Sequence, residues 1–466
     1  MIFYIAKKEM KEIRRSKSFL WMAVIIVLMG GSSFFLSYNH YTDKEEQREL
    51  ARVGERERWL GQGSKNPHSA AHYGTYAFKP NSALSLVDPG VEKFTGVSVF
   101  LESHARNEAE QVAAADQTGL SRFGDITPDF ILLFIIPLII IIMSHQTITR
   151  ERQAQTLRLI KMQGVSNFQF IVGKWLGNYL PIVVLSTIIF VLATLTITLV
   201  NATFDWSFIV AMAVIYLVYF AIITSISVSI SALSKNSGIS LVVLLVFWIV
   251  SCLAIPKIAS SYTNGEYPYP SRQQFQNAVA EDKSKGIDGH DPWNEASKKL
   301  EQETLQTYQV SSLEELPFNF DAYRMQKGEE HEAQVYYKHY ENLKAVYKQQ
   351  SEVYRRLAVF SPFLPVRFMS MSLAHTDYST HWNFTDEAEK HRIEMQRILN
   401  TNFAENSKLG EWSYRADESL LAEIPEFEFE FPGFSETIQE NRSNIFVLAL
   451  WSMASIGFLF IASTRL

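Results

Sequence analysis

Residues 144–178 read SHQTITRERQAQTLRLIKMQGVSNFQFIVGKWLGN and lie between two long apolar runs. The stretch contains five basic residues, which are Arg150, Arg152, Arg158, Lys161 and Lys174. Apolar residues spaced among them predict short amphipathic helices at a membrane surface, with a break at Gly164. The simpler alternative is a basic connecting loop that only sets the topology of the chain.

The composition is strongly segregated along the chain. Of the 466 residues, 47% are hydrophobic, and runs without any charge alternate with stretches dense in Glu, Lys, Arg and His. This pattern is typical of a membrane protein with large soluble insertions, and it excludes a single globular core. The net charge of −6 gives no indication of nucleic-acid binding, and the lone Cys252 excludes a disulfide within the chain.

Six apolar runs reach the length of about 20 residues that a membrane helix needs. We predict spans at residues 19–36, 130–147, 175–200, 207–233, 238–256 and 443–463. They leave a loop at residues 148–174 and two large insertions at residues 37–129 and 257–442. The first run also resembles a signal peptide, but its removal would leave an odd number of spans, so we interpret it as a span.

The basic residues predict the orientation of the spans. Residues 1–18 carry six of them opposite an apolar face, which predicts an amphipathic helix in the membrane interface. Residues 148–174 carry five more, whereas the loop at residues 201–205 has none. By the positive-inside rule, both termini are cytoplasmic and both insertions face outward.

Local patterns predict an α+β module in the insertions. Residues 45–58 are highly charged, and residues 329–357 repeat Tyr and Leu at a spacing of three to four, so both predict helices. Residues 426–431, EFEFEF, alternate strictly and predict a half-buried strand. Residues 77–90 contain two prolines and a glycine, which predict a loop.

The motifs that are missing restrict the function. The sequence has no G-x-x-x-x-G-K-[ST] loop for ATP, no H-E-x-x-H metal motif and no G-x-S-x-G nucleophile. An enzyme is therefore not expected. Within residues 175–233 and residues 238–255, the only acid or base is Asp205, which lies in a connecting loop. These spans therefore lack a carboxylate that could carry a proton through the membrane. Energy for any transport must enter from outside the bilayer, which directs attention to the loop at residues 148–174.

The order of features up to residue 174 resembles that of the ABC-2-type transporter permeases. An amphipathic start, a span, an outward insertion and a second span are followed by Glu-Arg, Thr-Leu, a turn and Gly-Lys. In this sequence the pattern falls on Glu151, Arg152, Thr156, Leu157, Gly164 and Gly173-Lys174. Gln155 stands where the family usually has glycine. The resemblance implies that residues 1–18 are the elbow helix and that residues 149–163 are the coupling-helix region, which receives motion from an ATPase.

Motifs in the insertions are similar to those of one bacterial subfamily of these permeases, in which the insertions have no known function. The first insertion has His68…His72-Tyr73-Gly74-x-Tyr76-Ala77-Phe78-Lys79-Pro80, Asp88-Pro89-Gly90-Val91 and Arg122-Phe123-Gly124. The second has Leu316-Pro317-x-Asn319-Phe320-Asp321, Ser361-Pro362 and His375-x-Asp377…His381…Glu389…Arg392.

The resemblance implies a polytopic α-helical membrane protein of the type V exporter kind. It would have six transmembrane helices, an elbow helix, and an α+β extracytoplasmic domain built from the two insertions. It would be the permease of an ABC transporter in the bacterial inner membrane, surrounded by lipid and paired with a second copy or a related permease. Separate ABC ATPase subunits would hold ATP and Mg, while this chain would bind no cofactor. Export or extraction is implied more than import, and the insertions would contact the cargo or a periplasmic partner.

A second candidate site lies in the second insertion, where one short stretch offers metal-type ligands at His375, Asp377, His381, Glu389 and His391. With His68 and His72 these groups could hold a transition metal. Alternatively, they form a polar network that joins the two insertions. A membrane enzyme would have to depend on this cluster alone. A competing function for the whole chain is a membrane-anchored sensor or scaffold that binds a ligand or partner outside the membrane without transport.

Overall fold

The computed structural model describes residues 1–112, 126–200 and 204–466, so the predicted motif at Arg122, Phe123 and Gly124, and residues 201–203 of the predicted loop, lie outside the described residues. The described part of the chain is mainly helical. Its helices are α1 Ile2–Arg15, α2 Lys17–Leu60, α3 Pro67–Tyr73, α4 Pro128–Phe130, α5 Ile136–Ser144, α6 Thr149–Gln153, α7 Thr156–Met162, α8 Asn167–Leu199, α9 Trp206–Leu233, α10 Ser237–Ile249, α11 Ile255–Glu266, α12 Arg272–Lys283, α13 Glu295–Tyr308, α14 Phe320–Leu357, α15 Phe363–Leu373, α16 Tyr378–Asn406, α17 Ser419–Glu423, α18 Phe434–Glu440 and α19 Arg442–Thr464.

Within the described residues, six helical segments are long and apolar enough to cross a membrane. They are Lys17–Leu60, Pro128–Gln153, Asn167–Leu199, Trp206–Leu233, Ser237–Glu266 and Arg442–Thr464. One falls on each predicted span, so a multi-pass helical membrane protein is the architecture of this chain. In the second and fifth segments, π-helical turns at Ile131–Ile135 and Val250–Ala254 precede Pro137 and Pro256. A proline removes one N–H donor and crowds the carbonyl of the preceding turn, so a widened turn relieves the clash.

The helix that contains the first predicted span is longer than that span. Instead of ending at residue 36, α2 continues without a break for 44 residues and includes the separately predicted helix at residues 45–58. Its C-terminal half has no proline, and it carries Glu–Arg pairs three residues apart at Glu45–Arg48, Glu49–Arg52 and Glu55–Arg58. Such pairs stabilise a helix in water, so the helix continues beyond the apolar stretch into the first insertion.

The two insertions fold into one domain. A three-stranded antiparallel sheet of β1 Thr75–Phe78, β2 Ser98–Glu102 and β3 Ala105–Arg106 has the order β1-β2-β3. Its buried face packs against α16 in a core that includes Trp59, Leu101, Phe384, Leu399 and Leu421. The indole of Trp59 donates to the carbonyl of Leu421 at 3.0 Å. Among the described residues all three strands of this sheet come from the first insertion, so the expected mixture of helix and strand is uneven.

The strand predicted at residues 426–431 is wrong, because the segment pairs with no neighbouring strand and has no regular structure. Its phenylalanines instead enter aromatic contacts: Phe427 and Phe429 pack edge-on against Phe384, and Phe431 stacks on His375. The predicted helix at residues 329–357 is present in α14, which begins earlier because Asn319 caps its first turn. The predicted loop at residues 77–90 contains the end of β1 and a short 3₁₀ turn at Ala83–Leu86.

A buried ionic joint connects the insertions to the membrane bundle. The guanidinium of Arg367 on α15 lies 3.0 Å from Asp88 in the first insertion and 2.6 Å from Asp129 at the start of the second span. Ser370, one turn further along α15, donates to Asp88 and is 2.9 Å from the hydroxyl of Tyr216 on α9. Two residues of the Asp-Pro-Gly motif have a role here. Asp88 pairs with Arg367. Gly90 has a positive φ of 52°, and a Cβ there would collide with Thr376.

Candidate functional site

The N-terminal helix α1 packs closely against the start of α8. Gly173 and Gly177, one turn apart, form the contact surface on α8. A Cβ built on Gly173 would lie 2.7 Å from the Cβ of Ile5, and one built on Gly177 would lie 2.6 Å from the Cβ of Glu9. Since real side chains do not approach so closely, small residues at these positions are what allow the two helices to meet.

A buried ionic cluster lies at this contact. The ammonium of Lys174 on α8 is 2.6 Å from Glu9 Oε2 on α1 and 2.9 Å from Glu151 Oε1 on α6. The Lys174 side chain is 1% exposed, so water does not screen these contacts. Lys8, at the edge of the cluster, lies 2.9 Å from Glu151 Oε1. Two carboxylates therefore face two ammonium groups. Pairing and hydrogen bonding offset the free-energy cost of burying these charges.

Neutral side chains complete the cluster. Thr147 donates its hydroxyl to Glu9, and the amide of Asn178 donates to Thr147 at 3.1 Å and to the carbonyl of Lys174 at 2.9 Å. Thr156, at the start of α7, donates to the carboxylate of Glu151. These bonds fix the orientation of both carboxylates, so α6 and α7 are joined to α1 and α8 through directed contacts.

The segment between the second and third spans is also bound to the end of α9. Arg152 donates to the carbonyl of Ser234 at 2.6 Å and to the carbonyl of Ala232. These are carbonyls that the end of a helix leaves without partners, and a cation is favoured there by the helix dipole. From α9, the hydroxyl of Ser231 accepts the backbone N–H of Ile148 at 3.1 Å. The segment thus contacts three membrane-domain helices, α1, α8 and α9.

One face of α7 is turned outward. Leu157 is buried in an apolar core with Val228 of α9, whereas Leu159 is 60% exposed and Met162 is 84% exposed. Gly164 ends this helix with a positive φ of 79°, and Ser166 then caps α8 with a reciprocal capping box. The result is a short helix that is anchored on one side and presents two large apolar side chains on the other.

Comparison with protein families gives two matches. Residues 99–251 match the family described as "ABC-2 family transporter protein". The chain carries an ABC-2 transporter domain. The ABC-2 domain includes α6, α7, α8 and α9, and it confirms the predicted resemblance to ABC-2-type permeases. Residues 272–430, most of the second insertion, match "Domain of unknown function (DUF3526)". A comparison with curated proteins found no match.

The residues that the sequence predicts for this part of the ABC-2 domain lie together. Glu151, Thr156 and Lys174 belong to the ionic cluster, while Arg152 and Leu157 anchor the same segment to α9. Gly164 is not in the cluster and forms the turn before α8.

The backbone conformation at Gln155 explains why the family usually has glycine before the threonine. The structure gives Gln155 a left-handed backbone with φ 59°, a conformation that glycine adopts without strain.

Sequence reasoning missed Glu9. It precedes the ABC-2 domain and sits on a helix that reads as basic on one side and apolar on the other. The signal was present, because Glu9 is an acid between Lys8 and Met10, four residues after Ile5, on the side that packs against α8. Only the fold brings it to Lys174.

The predicted metal set in the second insertion is not brought together. His375 packs between Phe208 and Phe431, with ring centroids 4.8 and 4.9 Å away. Asp377 caps α16 by accepting from Thr380, and Glu389 pairs with Arg392. His381 stacks on Tyr378. Capping, aromatic packing and ion pairing occupy these side chains, so the prediction of one metal site at His375, Asp377, His381 and Glu389 is wrong.

His68 and His72 instead meet His104 and His290. Burial, together with repulsion from the neighbouring imidazoles when they are charged, lowers the pKa of His68 to about 3. Burial also lowers the pKa values of His72 and His290, so these imidazoles are neutral at neutral pH.

Replacing Gly177 with valine is expected to lower stability by about 1–3 kcal/mol, because the new side chain must displace Glu9 and the backbone of α1. Thermal unfolding of the purified chain in detergent measures the effect. Gly457→Val in α19 is the matched control, since a Cβ at Gly457 meets no atom within 4 Å. Equal melting temperatures for the two variants would contradict the close approach of α1 to α8.

Proposed function

We propose that this chain is the membrane-spanning permease of an ATP-binding-cassette transporter and that separate ATPase subunits act on the segment α6–α7. The observation that carries the proposal is the buried cluster of Glu9, Glu151 and Lys174, which joins this segment to α1 and α8. The ABC-2 domain supports it, because permeases of this family work with ABC ATPases. The chain itself would bind neither ATP nor Mg and would not be an enzyme.

The proposed location is the bacterial inner membrane, with both termini cytoplasmic and the insertion domain in the periplasm. The basic residues of α1 and of the segment before α8 support this orientation. In α1, Phe3 and Tyr4 are largely exposed beside Lys7 and Lys11, as in a helix that lies in the membrane interface. This helix would be the elbow helix, and α6–α7 would be the coupling-helix region.

The proposed mechanism begins at the exposed face of α7. Leu159 and Met162 would be covered by an ATPase subunit, and closure of the ATPase pair would displace α7. Lys174 and Glu9 would carry that displacement to α8 and α1, and Arg152 would carry it to α9. Packed helices of this kind move between discrete arrangements, so a small shift at α7 would favour one state of the bundle over another.

A second copy of the chain, or a related permease, would complete the path through the membrane, as a homodimer or a heterodimer. The direction we propose is export or extraction. The insertion domain would bind the substrate or a periplasmic partner, because the two insertions are the longest segments outside the predicted spans.

A Leu159→Asp/Met162→Asp variant is expected to bind an ABC ATPase that co-purifies with the unmutated chain at least about tenfold more weakly, because two apolar contacts become charged. Affinity between the purified chain and that ATPase measures this. Leu50→Asp, at another exposed leucine on α2, is the matched control and should bind normally. Full affinity in the double variant would contradict the proposed docking face. If the unmutated chain binds no ATPase, the non-transporting sensor or scaffold becomes the better function.

A change of charge at Glu151, followed by both ATPase binding and ATP hydrolysis, separates docking from transmission. The sequence alone suggests Glu151→Lys as an uncoupling change that leaves the protein folded, but Glu151 already faces Lys174 and Lys8, so a third cation would break the cluster. Glu151→Gln keeps the shape and removes the charge. It should bind the ATPase and lose the permease-dependent change in ATP hydrolysis in proteoliposomes.

A further inference from the structure

Four histidines converge in the insertion domain, away from the cluster at Lys174. His68 and His72 are four residues apart and lie on one face of α3, His104 is in the turn between β2 and β3, and His290 lies between α12 and α13. One ring nitrogen from each of the four lies within 4.8 Å of the others. The Nε2 atoms are 3.1 Å apart in the pair His68–His72 and 2.8 Å apart in the pair His104–His290.

We propose that these four imidazoles form a binding site for a divalent transition-metal ion of the Zn²⁺, Cu²⁺ or Ni²⁺ class. A metal bound at about 2.0–2.1 Å by four nitrogens in a tetrahedron separates neighbouring nitrogens by about 3.3 Å. The two pairs of Nε2 atoms are already close to that separation. Imidazole ligands suit these ions, whereas Ca²⁺ and Mg²⁺ require oxygen ligands, so the site is selective by its chemistry.

A buried carboxylate orients His104 for this role. Glu329 Oε1 lies 2.8 Å from Nδ1 of His104, and Glu329 is itself held by Arg392 at 3.0 Å. When Nδ1–H is donated to a carboxylate, Nε2 is the nitrogen that can bind a metal, and this carboxylate–histidine arrangement accompanies many metal ligands. A metal would replace the two His–His contacts and leave the contact between His104 and Glu329 in place.

The backbone at His104 is strained in a way that serves the same geometry. His104 has a positive φ of 64°, and its backbone N–H also donates to Glu329 Oε1 at 2.8 Å. A non-glycine residue in this conformation is uncommon and is concentrated at functional sites, where the surrounding contacts hold it in place. The turn thereby aims the ring at His290 and α3.

The ligands come from both insertions, which gives the metal a structural consequence. His68, His72 and His104 belong to the first insertion, and His290 belongs to the DUF3526 region. A bound ion would therefore fasten the loop before α13 to α3 and to the β2–β3 turn. This inference does not depend on the proposed transport function. The simpler explanation is a pair of His–His hydrogen bonds with no metal, and the experiment distinguishes the two.

The test uses the full chain in detergent, purified through a tag without histidine and stripped of metal with a chelator. Zn²⁺ is titrated by calorimetry, and Cu²⁺ is followed by electron paramagnetic resonance, which reports nitrogen ligands. We expect one equivalent of each ion per chain, nitrogen hyperfine structure for Cu²⁺, and no binding of Mg²⁺ at the same concentrations. Failure of the unmutated chain to bind either Zn²⁺ or Cu²⁺ stoichiometrically would overturn the proposal.

The variants locate the site. His68→Ala/His72→Ala should weaken Zn²⁺ binding by at least about 100-fold, and Glu329→Gln by about 10–100-fold, as is usual for a carboxylate behind a ligand. His391→Ala is the matched control, because His391 lies in the same domain and contacts Phe427 rather than the cluster. A circular dichroism spectrum confirms folding of each variant. Unchanged Zn²⁺ affinity in the folded double variant would overturn the assignment of these ligands.

Discussion

A Lys174→Met variant is expected to be less stable than the unmutated chain by about 3–5 kcal/mol. The ammonium of Lys174 lies between Glu9 and Glu151, at 2.6 and 2.9 Å, inside the contact between α1, α6 and α8. Its removal leaves two buried carboxylates beside Lys8, which contacts Glu151 from a half-exposed position. A buried charge without a partner is costly because it has lost its water and gained nothing in return. Thermal unfolding in detergent, followed by tryptophan fluorescence, measures the loss.

Two further variants test whether charge balance is the cause. Lys235→Met removes an exposed lysine and should change stability by less than about 0.5 kcal/mol. Lys174→Met/Glu9→Gln removes one carboxylate along with the ammonium, and the remaining Glu151 still pairs with Lys8. The double variant should therefore be more stable than Lys174→Met alone. Equal melting temperatures would mean that Lys174 acts through packing and not through its charge.

The membrane spans could be predicted because length and apolar composition decide them locally. What the sequence did not reveal is where those helices end. The first span was predicted at residues 19–36, and the helix that contains it, α2, continues to Leu60 because side-chain pairs such as Glu45–Arg48 stabilise a helix in water as well. The strand predicted for the alternating EFEFEF segment was wrong for a non-local reason. Alternation leads to a strand only where a neighbouring strand can pair with it, and here none does.

The candidate site was predictable in its local part. Glu151, Arg152, Thr156 and Lys174 lie within one stretch of 35 residues, and the resemblance assigned them. Glu9 could not be assigned, because its partner is 165 residues away and the close approach of the two helices at Gly173 and Gly177 is established only by the fold.

The histidines follow the same rule. His-x-Asp-x₃-His near residue 375 has the spacing of metal ligands, but Asp377 is needed as a helix cap and His375 as an aromatic partner. His104 and His290, which do meet, are 186 residues apart and belong to no local pattern.

Helix α9 connects the segment α6–α7 to the ionic joint at Arg367. Near one end, Ser231 accepts from Ile148 and the carbonyls beyond it bind Arg152. Nearer the other end, the hydroxyl of Tyr216 meets Ser370, which also holds Asp88. Tyr216 and Ser231 are about 22 Å apart along the helix axis at about 1.5 Å per residue. Through the polar contacts at Ser231 and at Tyr216, α9 directly connects the segment α6–α7 to the insertion domain.

An Arg367→Met variant should therefore weaken the attachment of the insertion domain, with an expected loss of about 3–5 kcal/mol. Arg367 lies 3.0 Å from Asp88, which is fully buried, and 2.6 Å from Asp129, so both carboxylates would lose their shared cation. Arg355→Met is the matched control, because Arg355 forms an exposed pair with Glu352 and should matter by no more than about 1 kcal/mol.

Limited proteolysis distinguishes detachment of the insertion domain from a loss of stability throughout the protein. If Arg367 holds the domain to the bundle, Arg367→Met should be cut faster around α15 while the contact between α1 and α8 stays protected. The triple variant Arg367→Met/Asp88→Asn/Asp129→Asn should regain most of the stability, because it removes the unpaired charges. A triple variant no more stable than Arg367→Met would contradict a joint based on charge pairing. It would also leave Asp88, which accepts from both Arg367 and Ser370, without a demonstrated role in connecting α9 to the insertion domain.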